Sequence, residues 1–168
     1  KCEPLGTGDE SIREEMVADL AAEALFGESS ELYLRLYEEG LIDSSFGGGF
    51  ETIDGCAMLL CSGDSEDARA VREAILAQAE KLTREGLPEE DYLRMKRSAL
   101  GRRIRGLDSF DATCFRICAY HFSDFDYFRF PEIYRQITAE EIIAFLARVV
   151  KRERCCLSIM EPVCEGGE

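Results

Sequence analysis

Residues 44–62 read SSFGGGFETIDGCAMLLCS, and the order of polar and apolar positions in this stretch decides the fold class. Phe46, Gly48, Phe50 and Thr52 alternate with their neighbours, so they share one face of an extended strand over Ser44–Thr52. Asp54-Gly55 is a hairpin pair, since a two-residue connection needs the positive φ that Gly supplies. Cys56 to Ser62 (CAMLLCS) is the compact apolar return strand. Three successive glycines, Gly47 to Gly49, leave the first strand little to pack, which points to a bulge or a close backbone approach.

Helices flank this hairpin on both sides. Before it, Ile12, Met16 and Leu20 recur four apart in a helix over Asp9–Phe26, with Ser11 and Glu14 spaced as a capping box and Gly27 as the stop. Ser29 or Ser30 opens a shorter helix that carries Leu32 and Leu36 and closes at Gly40. After the hairpin, Val71, Ile75, Ala79 and Leu82 stripe a helix over Ser65–Glu85, ended by Gly86. Pro88 suits the first position of the next helix, and Glu89, Glu90 and Asp91 suit its positive dipole end. Ser109–Phe122 is apolar nearly all round, which predicts deep burial. Thr138 and Glu141 form a second capping box, opening a helix lined by Ile142, Leu146 and Val149. Arg154–Met160 reads as a closing strand, followed by Pro162 and a polar tail.

Blocks of helices around few strands predict an α+β domain over residues 1–168, a small antiparallel sheet with helices packed on one face. Three strands are few for so many amphipathic helices, and a helix begins almost at once. A further strand upstream of Lys1 is therefore expected, and the chain reads as a fragment of a longer polypeptide.

Composition narrows the function. With 20 Lys and Arg against 34 Asp and Glu, the net charge is −14, a field that repels nucleic-acid phosphates. No apolar run approaches the roughly 20 residues of a membrane-spanning helix. The eight cysteines, at positions 2, 56, 61, 114, 118, 155, 156 and 164, mostly lie in apolar stretches, as free thiols do in a reducing compartment such as the cytosol. A single His excludes a two-His metal site and most His-based catalysis.

Several local patterns invite a chemical reading. Cys114, Cys118 and His121 fall on one helical face, as metal ligands would, but Phe110 and Ile117 share it and no fourth ligand is specified. The basic run Arg94, Lys96, Arg97, Arg102, Arg103, Arg105 is either a solvated face paired with nearby acids or a dock for an acidic partner. Gly6-Thr7-Gly8 has no preceding strand and no following G-K-[ST], so it is not a phosphate loop. No G-x-S-x-G elbow occurs. Nothing assembles a complete active site, and no catalytic residue is assigned.

The segment LFGESSELYLRLYEEGLIDSSFGGGFE (residues 25–51), EGLPEEDYLRMKRSALGRRIRGLDSF (85–110) and EIYRQITAEEIIAFL (132–146) together resemble the second, non-catalytic half of the pitrilysin-like (insulin-degrading-enzyme-like) zinc metallopeptidases. The resemblance runs from Pro4 to about Pro162. It implies two homologous α+β halves closing on a peptide chamber, with zinc held by H-x-x-E-H in the other half, where its Glu activates water. This chain's first helix, SIREEMVADLAAEAL, has no His, so the resemblance implies a wall that holds peptide substrate for a zinc-bearing partner half. It also implies an Arg and a Tyr that orient the substrate carbonyl. Arg35 takes the Arg position, whereas Ile42 or Asp43 stands where Tyr is expected. An uncovered sheet edge would further favour a homodimer. Two rival readings are a structural or assembly protein of the same fold and a thiol or metal-binding module on Cys114, Cys118 and His121.

Overall fold

The computed structural model describes residues 1–53 and 55–161. Helix α1 (Asp9–Phe26) is the axis of the molecule. Met16, Ala18, Leu20, Ala21 and Leu25 are fully buried along it, and so many alanines let neighbours approach from several sides. β1 (Gly47–Ile53), α7 (Ala139–Val149) and α4 (Glu89–Arg105) all pack against it. The short α2 (Glu31–Glu38) is capped by the Ser30 side chain, which accepts from the Tyr33 N–H. Its Leu32 and Leu36 close one end of the core. α3 (Ala68–Glu85) lies against α7 and α2, started by Asp67 as N-cap and ended at Gly86, whose φ of +81 lies where side chains are strained.

β1 pairs antiparallel with β2 (Cys56–Ser62), Phe50 opposite Leu59 and Gly48 opposite Cys61. Gly55 has the left-handed φ of +76 that the turn needs; its neighbour Asp54 lies outside the described residues. Phe50 meets Phe145 of α7 edge-on at 6.2 Å, so the face expected from the alternation is the one turned to the helices. The glycine run is explained at Gly48, where a Cβ would stand 2.6 Å from both the Leu60 carbonyl and the Phe26 ring. The fold class is the expected one, α+β with a small antiparallel sheet.

Four local expectations need correction. α1 starts at Asp9 with Gly8 as N-cap, and Ser11 is buried inside the helix, so Ser11 and Glu14 form no capping box. Helix α5 (Phe110–Phe122) is not deeply buried: none of its residues is, and Phe110, Phe115 and Phe122 are 79%, 73% and 85% exposed. Apolar composition asks for a cover without saying which segment provides it. Arg154–Met160 forms no strand; a 3₁₀ turn (Arg152–Arg154) follows α7, and residues 155–161 run without ladder pairing. Instead the Cys2 N–H bonds the Ala57 carbonyl at 2.8 Å, beside the outer edge of β2. Pro162 and the tail with Cys164 lie outside the described residues. Finally, α6 (Phe130–Gln136), with Pro131 in its first turn, is an additional helix whose seven residues are too few to show a period. The Thr138–Glu141 capping box is present with both of its bonds.

Candidate functional site

An open hollow of about 300 Å³ lies beside the glycine run. α1 presents Asp19, Ala22 and Glu23 to it, and α4 presents Ala99, Arg102 and Arg103. Gly48 and Gly49 of β1, Arg116 of α5 and Tyr134 of α6 complete the lining.

Its charges are matched pair by pair. Arg103 Nη2 donates to Asp19 Oδ2 at 2.8 Å, and Arg102 Nη2 to Glu23 Oε2 at 2.9 Å. Arg103 Nη1 also donates to the Tyr120 hydroxyl at 3.1 Å, which donates in turn to Glu15 Oε1 at 2.5 Å. The guanidinium lies 5.6 Å from the Tyr134 ring centroid. Burial pushes the Asp19 carboxyl above its ordinary range against the pull of Arg103, and Glu51 adds to the rise. Burial likewise raises Glu15 although Tyr120 bonds it. Burial opposes the charge on Arg103, yet the phenols of Tyr134 and Tyr120 and the Asp19 carboxylate more than offset that and raise its pKa. Arg116 differs: no acid pairs with it among the described residues, its Nη1 is shut off from water without an acceptor, and a Cβ on Gly106 would stand 2.5 Å from that nitrogen.

Asp19, Ala22 and Glu23 have the i, i+3, i+4 spacing of H-x-x-E-H. Here the first and last of these positions are carboxylates, and each grips a guanidinium. Two fixed positive charges already neutralise these carboxylates, so this residue set does not fit zinc. Among the described residues no three His, Cys, Asp or Glu side chains group as a metal site. Cys114, Cys118 and His121 lie exposed on α5.

Arg35 lies exposed on α2 and does not line the hollow. Tyr37 stacks on Tyr33 at 5.9 Å. The basic run of α4 is mostly an internally paired face: Arg94 bonds Asp91, Arg102 and Arg103 bond the α1 acids, and Lys96 Nζ donates to the Ile137 carbonyl at 2.8 Å. Asp19, Glu23 and Arg116 escaped the sequence reading. The D-L-A-A-E spacing on α1 was the one signal available for the two acids, and Arg116 had none.

Comparison with known proteins agrees with this picture. Residues 5–99 match the family model described as the peptidase M16 inactive domain. The chain is 27% identical over 163 residues to the uncharacterized zinc protease YmfH of Bacillus subtilis (strain 168), covering 95% of this chain and 37% of YmfH. Its fold superposes on a protein named as an M16-like peptidase of Alicyclobacillus acidocaldarius with a TM-score of 0.78, at 21% identity over 85% of this chain and 34% of that one. A protein named as a zinc protease of Bordetella pertussis Tohama I gives a TM-score of 0.67, at 17% identity over 84% of this chain and 82% of that one. The chain thus spans little more than a third of YmfH. A family model matched over more than half of the residues leads to one conclusion: the chain belongs to the peptidase M16 inactive-domain family.

Proposed function

We propose that this chain is the non-catalytic wall of a peptide-binding chamber and orders extended peptide for a zinc-bearing half, in the same polypeptide or a partner subunit. The observation that supports it most is the pairing of Asp19 and Glu23 with Arg103 and Arg102. It fills the spacing at which the active motif binds metal and leaves a hollow open beside β1. A wall contributes by proximity, lowering the entropy cost of presenting a scissile bond elsewhere. Arg35, exposed on α2, is the residue we assign to the substrate backbone. The described cysteines are free thiols, which supports a reducing, cytosolic setting.

The test is peptide hydrolysis by this chain, by its zinc-bearing half, and by the two combined. Activity is expected only where the zinc half is present, to rise on combination, and to vanish with a chelator. Chelator-sensitive cleavage by the 168-residue chain alone would refute the proposal. No rise on combination favours the assembly reading, which the exposed aromatic face of α5 also supports.

A further inference from the structure

We draw no further inference here: the strongest candidate, the aromatic surface of α5 that carries the exposed Phe110, Phe115 and Phe122, is an unpartnered apolar face among the described residues, and nothing in the structure shows what covers it.

Discussion

Arg103 ties three elements together at the hollow. It bonds Asp19 and Tyr120, lies 3.8 Å from Glu15, and only 16% of its side chain is exposed. Arg103→Met is expected to cost about 2–3 kcal/mol in urea unfolding, because it leaves two acids crowded without their cation. Adding Asp19→Asn should recover a large part of the loss, and additive losses would contradict the pairing. Glu15 gives a pH test. Its folded-state pKa is raised above the ordinary 4.5, so the folded protein binds more protons than the unfolded chain in that window. Its contribution is therefore fully present below 4.5 and is lost as pH rises through the raised value. Glu15→Gln removes this loss while keeping an acceptor for Tyr120. Stability measured relative to wild type should shift in favour of the variant from acid to neutral pH. A difference independent of pH would show that Glu15 ionises in the fold as it does in water.

Among the elements, α7 and α5 differ in how far their surroundings follow from sequence. Thr138 caps α7, and Glu141 both closes the box and accepts two bonds from Arg13 of α1, at 2.8 and 2.9 Å. Thr138→Ala should cost about 1 kcal/mol in thermal or urea unfolding, with native far-UV dichroism retained. That box was legible because its two residues are three apart in the chain. The hairpin was legible for a similar reason, since turn chemistry and alternation act over neighbours. The Asp19–Arg103 pair joins residues 84 apart, and nothing in either local sequence marks the partner. For α5, composition gave the helix but not its exposure, because hydrophobicity is blind to whether a cover lies within these residues. Residues 154–160 misled for a related reason: apolar, β-favouring side chains make a strand only where a free edge is within reach.

At the scale of the whole molecule, the two sheet edges are unequal. Cys2 reaches Ala57 beside the edge of β2, whereas no described strand pairs with the edge of β1. Unpaired N–H and C=O groups favour pairing with another extended chain, and a second copy carries the same edge. We therefore expect concentration-dependent homodimers formed through β1. Gly49→Lys tests this cleanly, since a Cβ at Gly49 meets no atom within 4 Å and a charged edge resists strand pairing. Sedimentation velocity should show wild type shifting toward dimer as concentration rises, with the variant monomeric and its melting temperature within a few degrees. A wild-type dimer unaffected by Gly49→Lys would place self-association elsewhere, with the exposed Phe110, Phe115 and Phe122 of α5 as the next surface to alter.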